Sequence, residues 1–117
     1  MAEVTGVGGV FWRADDPERL RSWYADVLGI VDPPGGAWQQ EAGPMVLAPF
    51  PRDTDYFGPG QQLMLNFRVR DLAGLLDRLR DRGVEVQGPE SQDGVGTFAW
   101  VRDPEGSRVE LWEPAGD

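Results

Sequence analysis

The most constraining feature of this sequence is a pattern that occurs twice. An aspartate that can cap a helix stands at Asp16 and again at Asp71, an interval of 55 residues, and an amphipathic stretch follows each. Later in each half, Gly106 follows Gly43 at an interval of 63 residues. The repeat predicts a duplicated βαβββ unit, because neither half could bury its apolar face alone.

Both predicted helices have recognisable ends. In the first half, Asp16 precedes Pro17, which is tolerated at the first helical position, and Gly29 can adopt the left-handed conformation that ends a helix. In the second half, Asp71 and Gly83 occupy the equivalent places. Apolar residues recur at helical spacing between these ends, so each helix is predicted to lie against a core.

The repeat predicts a single α+β domain over residues 1–117. Module one covers about residues 6–51, a loop covers 52–60, and module two covers about 61–114. We expect the two tandem βαβββ modules to form one curved mixed sheet around a concave pocket, with the helices outside. The predicted strands are residues 7–14, 30–32, 37–41 and 45–50 in module one, and residues 61–69, 84–87, 97–101 and 108–112 in module two.

The last two strands are joined by Asp103-Pro104-Glu105-Gly106. Proline followed by glycine in a tetrad between two β-rich runs is typical of a tight turn. The segment therefore predicts a β-hairpin.

Composition excludes several kinds of chemistry. The chain has no Cys, no His and no Lys, so its 11 basic residues are all arginines. Nucleophile pairs that use histidine, Schiff-base lysines, zinc fingers and disulfide scaffolds are therefore excluded. The net charge of −9 repels nucleic acid and anionic membranes, so neither is an expected partner. No apolar run has the length of a membrane span and no signal peptide is recognisable, so we expect a cytoplasmic protein.

Several short motifs resemble those of one known superfamily. They are Asp16-Pro17, Trp23-Tyr24, Leu28-Gly29, Asp103-Pro104-Glu105-Gly106 and Val109-Glu110-Leu111-Trp112-Glu113-Pro114. In these places the chain resembles the vicinal oxygen chelate superfamily, which includes glyoxalase I, bleomycin-resistance proteins, fosfomycin-resistance enzymes and extradiol dioxygenases. The resemblance covers essentially the whole chain and implies both the two-module fold and a homodimer, but it leaves the reaction open.

The resemblance also implies four cavity positions that hold a divalent metal in the superfamily. Transferred onto this chain, they fall on Gly9, Leu47, Met64 and Glu110. Only Glu110 suits a hard ion, because Met64 offers a soft thioether and one carboxylate does not hold Mg or Mn without help. We therefore expect no metal and no other cofactor, and function has to be argued from the site rather than from the fold.

Glu110 is the candidate catalytic residue of the predicted cavity. A buried carboxylate needs a partner, because an isolated one is costly to bury. The partner is either Arg13 or Arg68 in a structural ion pair, since each shares a face with a vacated metal position. Alternatively, Glu110 and an arginine form a polar patch for a ligand, or Glu110 acts as a base.

Aromatic residues dominate the remaining candidates for substrate binding. Strand alternation points Phe11, Asn66, Phe98, Trp100 and Trp112 into the cavity, although aromatic side chains here could equally fill the core. Tyr56 lies in the aromatic loop of residues 49–60. This loop is either only a stiff linker, or it covers the pocket mouth or a partner subunit.

Together these observations predict a protein that binds a small organic molecule in its cavity without a metal. As in the bleomycin-resistance proteins that it resembles, binding would sequester the compound, and the negative charge favours a cationic ligand. Two alternatives stay open. One is a metal-independent isomerase or lyase with Glu110 as acid or base and Arg13 or Arg68 stabilising an oxyanion. The other is a scaffold domain with a filled pocket.

Overall fold

Two helices and four strands form over residues 2–30 and 36–116, the part of the chain that this computed structural model describes. In chain order they are α1 (Pro17–Leu28), β1 (Asn66–Arg68), α2 (Leu72–Asp81), β2 (Gln87–Gln92), β3 (Gly96–Arg102) and β4 (Arg108–Pro114). The fold is α+β, as the sequence predicts. No helix among the described residues is both long and apolar enough to cross a membrane.

Both helices begin at the predicted aspartates. The Asp16 carboxylate accepts a hydrogen bond from the backbone N–H of Arg19 at 3.2 Å, and Pro17 occupies the first turn. The Asp71 carboxylate accepts from the N–H of Gly74 at 3.1 Å, where a Cβ would overlap that carboxylate. Gly29 ends α1 in the left-handed conformation with φ 74°. Local capping chemistry is therefore sufficient to place both helices.

The sheet has the strand order β1-β4-β3-β2 and is open at both edges. β1 runs parallel to β4, whereas β3 is antiparallel to both β4 and β2. The predicted hairpin between β3 and β4 is confirmed, and its turn closes with a bond from Gly106 N–H to Asp103 O of 2.9 Å. The central pair of strands thus comes from the part of the sequence with the strongest turn signal.

Strand alternation gives the sheet two chemically different faces. On one face Ala99, Val101, Val109 and Leu111 are at most 2% exposed. Both helices pack there and complete one core with Leu20, Tyr24, Val27, Leu72, Leu76 and Leu79. The opposite face carries Glu110 together with several aromatic rings. One face therefore forms the core with the helices, and the other carries a separate group of buried polar and aromatic side chains.

Helix α1 is fastened to the second half of the chain by the β3–β4 turn. The Tyr24 hydroxyl donates to Asp103 Oδ2 at 2.9 Å within the core. The two carboxylate oxygens of Glu105 accept from the backbone N–H groups of Asp15 and Asp16 at 2.7 and 2.8 Å. The turn motif therefore has a second role that its local sequence does not indicate, namely anchoring a helix about 90 residues away.

The predicted strands of module one do not form in the described part of the chain. Residues 7–14, 37–41 and 45–50 belong to no strand, and Phe11 and Leu47 are 92% and 81% exposed. Ile30 is also outside any strand, and the rest of the predicted segment 30–32 lies outside the described residues. A β-rich segment becomes a strand only when it finds a ladder partner, and these segments find none among residues 2–30 and 36–116. The four observed strands all come from module two, so the assignment of a second sheet half to residues 6–51 stays a prediction.

Two strands of module two are also shifted from their predicted positions. The strand predicted over residues 61–69 is shorter in the structure, where it covers only Asn66–Arg68. One reason is that the Gln61 side chain bonds both backbone groups of Arg108 and replaces ladder bonds there. The predicted strand 84–87 is wrong, since β2 starts at Gln87. The Val84 N–H bonds Leu79 O at 3.0 Å and so ends α2 instead of pairing in the sheet.

Candidate ligand site

Glu110 lies at the centre of the aromatic face and is only 6% exposed. Its partners are three neutral donors. Asn66 Nδ2 donates to Oε1 at 2.6 Å, Trp100 Nε1 donates to Oε2 at 2.8 Å, and the Tyr56 hydroxyl donates to the same Oε2. Because β4 pairs with both β1 and β3, Asn66 and Trp100 are the two cross-strand neighbours of Glu110. The ladder itself therefore delivers two of the three donors that a buried carboxylate requires.

The predicted ion pair between Glu110 and an arginine is wrong. Arg68 instead donates from Nη2 to the Glu41 carbonyl at 2.9 Å, and Arg13 is exposed. The buried carboxylate does have partners, as the sequence predicts, but they are neutral donors and not cations. Neutral donors suffice here because several hydrogen bonds to a charged acceptor offset its desolvation.

Three aromatic side chains form a row beside Glu110, consisting of Trp100, Phe98 and Trp112. The Phe98 ring is nearly parallel to both indoles, with interplanar angles of 12° to Trp100 and 6° to Trp112 and centroid separations of 6.4 and 6.2 Å. Phe98 and Trp112 are direct cross-strand partners, and Trp100 follows on the same face of β3. The strand pleat thus places three nearly parallel rings next to one another on one face of the sheet.

Arg108 closes one side of this surface. Its guanidinium carbon lies 4.9 Å from the centroid of the Tyr56 ring and 4.8 Å from that of the Trp100 ring. The guanidinium also donates to the Tyr56 carbonyl and, at 3.1 Å, to Gln87 Oε1. Arg108 therefore joins the loop of residues 49–60 to the sheet through both cation–π contacts and hydrogen bonds.

A cleft of about 470 Å³ opens against these groups. Its apolar wall comes from Tyr56, Phe98 and Trp100, and Arg108 lies at its side. The polar lining consists of Asp55, Gln87, Glu90, Ser91 and Gln92. Small-molecule sites commonly combine an aromatic wall with a few polar groups, so this cleft is the candidate ligand site.

A second depression, of about 490 Å³, lies beside the start of α2. Its charged lining groups are already engaged, because Glu113 Oε1 accepts from the Leu72 N–H at 2.7 Å and Arg70 forms an ion pair with Glu41 at 3.1 Å. It lacks the aromatic row and the Glu110 cluster. We therefore assign the ligand site to the cleft beside Tyr56.

The Tyr56 hydroxyl is a donor throughout the neutral pH range. Burial raises the pKa of Tyr56 to about 12, and the hydrogen bond to Glu110 and the charge of Glu110 act in the same direction. Ionising the phenol would place a second negative charge beside a buried carboxylate. The Tyr56 phenol therefore keeps its proton at neutral pH.

The structure brings together six of the nine predicted site residues. Glu110, Asn66, Trp100 and Tyr56 form the hydrogen-bonded cluster, and Phe98 and Trp112 belong to the adjoining row. Phe11, Arg13 and Arg68 lie outside it, the first two because their segment has no strand partner. Sequence reasoning missed Arg108 and Gln87. Strand alternation could have indicated Arg108, which lies two residues before Glu110 on the same face.

The four positions at which the superfamily holds a metal do not fit one in this chain. Leu47 is exposed, and the ring of Phe11 lies against Gly9. Around Glu110 the neighbouring groups are N–H and O–H donors, whose hydrogens occupy the space in which a cation would have to bind the carboxylate. Among residues 2–30 and 36–116, no three acidic side chains converge.

Comparison with protein-family models gives one match, to the glyoxalase-like domain, over residues 9–112. The chain belongs to this family. The match covers most of both predicted modules, including the segments that form no strand here, and it contains every predicted site residue. No curated protein sequence matches the chain.

Solved structures of similar proteins carry related descriptions. TnmS3, an antibiotic binding protein from Streptomyces sp. CB03234, is 27% identical with a TM-score of 0.66, and the match covers 98% of this chain and 100% of that one. A glyoxalase/bleomycin resistance protein from the same organism is 29% identical with a TM-score of 0.53, covering 85% and 92%. Lactoylglutathione lyase from Agrobacterium tumefaciens, 22% identical with a TM-score of 0.53 over 86% and 87%, shares the fold alone.

Proposed function

We propose that this protein binds a planar aromatic small molecule in the cleft beside Tyr56, without a metal. The observation that carries the proposal is the row of nearly parallel rings formed by Trp100, Phe98 and Trp112. A flat aromatic ligand can pack against the two members of the row that line the cleft, Phe98 and Trp100. The similarity to TnmS3, an antibiotic binding protein, supports a binding role and suggests that the bound compound is sequestered.

Charge around the cleft favours a ligand with positive or neutral character. Asp55 and Glu90 line the cleft, and Glu90 is the cross-strand partner of Phe98. The Arg108 charge is shared with two ring faces and two hydrogen-bond acceptors. Together with the net charge of −9, this arrangement attracts cationic aromatic compounds and repels anionic ones.

The alternative of an isomerase or lyase with Glu110 as acid or base is less well supported. Both carboxylate oxygens of Glu110 already accept hydrogen bonds from protein donors, and Glu110 is not among the residues that line the cleft. The scaffold alternative requires a filled pocket, whereas the cleft beside Phe98 has about 470 Å³ of space. Binding without chemistry is therefore the preferred function.

We also propose that the protein acts as a cytoplasmic homodimer. Residues 4–14 and 36–50 form no strand, yet they expose large apolar side chains such as Val4, Phe11 and Leu47. Arg13 and Glu41 are the only charged residues in these two segments, so the segments carry no net charge in a chain of net charge −9. A second copy can cover it without charge repulsion, and exposed apolar surface of this extent is typical of an interface. Light scattering at increasing protein concentration tests this, and a monomer at every concentration would contradict it.

The binding proposal is tested by a thermal-shift screen with planar cationic dyes such as proflavine and with anthraquinone as a neutral analogue. A ligand present at 100 times its Kd stabilises the folded state by about 2.7 kcal/mol, which raises Tm measurably. Phe98→Ala should weaken binding by up to about tenfold, because a stacking contact contributes about 0.5–1.5 kcal/mol. Trp38→Ala, which removes an aromatic residue outside the cleft, is the matched control and should leave Kd unchanged.

Two outcomes of the screen would change the conclusion. If no planar compound raises Tm, the binding proposal fails and a scaffold role takes its place. If a bound compound is chemically converted, and Glu110→Gln keeps binding but abolishes conversion, the enzyme alternative is correct.

A further inference from the structure

The three donors to Glu110 are held in different ways. Asn66 and Trp100 lie on strands and are fixed by the sheet ladder. Tyr56 lies on the loop of residues 49–60, whose own backbone bonds are short-range, such as Gln61 N–H to Gly58 O at 2.9 Å. Its attachment to the sheet consists of the hydroxyl bond to Glu110, the Arg108 bond to its carbonyl and ring contacts. Tyr56 is therefore the one donor of the three whose backbone can move away from Glu110 without breaking the sheet.

The groups around the Tyr56 side chain recognise each part of a phenol. The guanidinium carbon of Arg108 lies 4.9 Å from the centroid of the Tyr56 ring, and the Trp100 and Tyr56 rings are nearly perpendicular, at 79°, with centroids 6.3 Å apart. The Phe50 ring covers another side at 5.6 Å. The hydroxyl points at the buried Glu110 carboxylate. A π face, a ring edge and a protonated oxygen thus each have a matching protein group.

We propose that Tyr56 occupies the place of the ligand, and that a compound with a protonated phenol group displaces it and donates to Glu110 Oε2. This inference rests on the proposed binding function and names the chemical class that the same site selects. The loop of residues 49–60 moves aside as the ligand phenol enters between Arg108 and Trp100. The aromatic row beside it then accepts the remaining rings of a planar phenolic compound.

The requirement for a donor follows from the burial of Glu110. If Tyr56 leaves, Oε2 keeps only the Trp100 donor, and a ligand hydroxyl that donates to it restores the lost hydrogen bond. A carboxylate or phosphate ligand would place like charges together. An aliphatic alcohol would supply the donor but would lose the cation–π and edge contacts. A phenol satisfies all of these conditions.

The chain offers a direct spectroscopic test because it contains only two tyrosines. Protein labelled with 3-fluorotyrosine gives two ¹⁹F resonances, which Tyr56→Phe and Tyr24→Phe assign. Titration with 2-naphthol should shift the Tyr56 resonance towards its value in unfolded protein and leave the Tyr24 resonance in place. Naphthalene has the same ring system without the hydroxyl, and it should bind at least about tenfold more weakly.

Three variants make the test specific. Tyr56→Phe removes the competing hydroxyl and should tighten 2-naphthol binding by about tenfold. Glu110→Gln should bring the affinities for 2-naphthol and naphthalene close together. Tyr24→Phe is the matched control: this tyrosine also donates to a buried carboxylate, Asp103, but it lies in the core, so its loss should not change the preference.

Each other outcome overturns the inference. If 2-naphthol binds while the Tyr56 resonance stays in place, the ligand does not replace Tyr56. Equal affinity for naphthalene and 2-naphthol, or no binding of 2-naphthol to either the wild type or Tyr56→Phe, also contradicts it. If a compound from the thermal-shift screen binds through Phe98 without moving Tyr56, the proposed binding function stands and only this inference fails.

Discussion

The two halves of the chain have similar local sequence patterns but different structures. Residues 61–114 form a four-stranded sheet covered by a helix, whereas residues 6–51 form only α1 within the described part of the chain. The two helices resemble each other because capping depends on a few neighbouring residues. The strands differ because a strand needs a partner that local sequence does not supply. Helix formation is thus the local property of this repeat, and sheet formation is the tertiary one.

The largest expected difference between the halves is in the unfolding free energy that is lost when a leucine is replaced by alanine. Leu111 is 1% exposed in β4, and Leu47 is 81% exposed in the first half. Leu111→Ala should lower the free energy of unfolding by about 2–5 kcal/mol, as is typical of buried leucine. Leu47→Ala should change it by less than about 0.5 kcal/mol in dilute protein. Urea unfolding followed by tryptophan fluorescence measures both. Equal losses would mean that Leu47 is buried and that the two halves are alike.

A smaller effect concerns the link between the halves. Tyr24 in α1 donates to Asp103 in the β3–β4 turn. Tyr24→Phe leaves that buried carboxylate oxygen without this donor and should cost about 1–3 kcal/mol in unfolding free energy. Hydrogen exchange in α1 should accelerate more than exchange in α2. If both helices respond equally, the turn does not anchor α1 in particular.

The stability of the folded state at alkaline pH tests the buried tyrosines, Tyr24 and Tyr56. The pKa of Tyr56 is raised to about 12 from 10.0, and burial and Asp103 raise that of Tyr24 as well. The unfolded chain therefore loses these protons first, and stability that is fully present below pH 10 should fall as the pH rises towards 12. The chain has no lysine or cysteine to titrate in this range. Urea midpoints between pH 8 and pH 11 should fall less steeply in Tyr24→Phe and Tyr56→Phe; an unchanged slope in both variants would show that the tyrosines do not cause it.

The smallest expected effect is that of divalent metal. Gly9 and Leu47 of the first half supply no ligand to complement Glu110 of the second half. Added Mn²⁺ or EDTA should therefore shift Tm by less than about 1 °C, because a metal that does not bind the native state does not stabilise it. Elemental analysis of the purified protein is the independent measurement. A stoichiometric metal would show that the two halves together form a metal site, contrary to this prediction.

Much of the site could be predicted from alternation in the second half. Phe98, Trp100 and Trp112 share a face with Glu110 because side chains alternate along each strand, and no tertiary information is needed to see this. The partners of Glu110 could not be predicted in the same way. The carboxylate of Glu110 accepts from Tyr56 and Asn66 and not from Arg13 or Arg68. This outcome depends on where a loop and a neighbouring strand come to lie, which sequence spacing does not specify.

The sequence alone determined the α+β class, both helix starts, the β3–β4 hairpin and the aromatic character of the site. Each of these depends on residues that are close together in the chain, through capping, turn geometry or alternation. Only the tertiary structure decided which β-rich segments became strands and which donors satisfied Glu110. It also revealed that the turn carboxylates of Asp103 and Glu105 anchor α1. These outcomes depend on contacts between distant residues, where each donor, acceptor and strand edge has several possible partners.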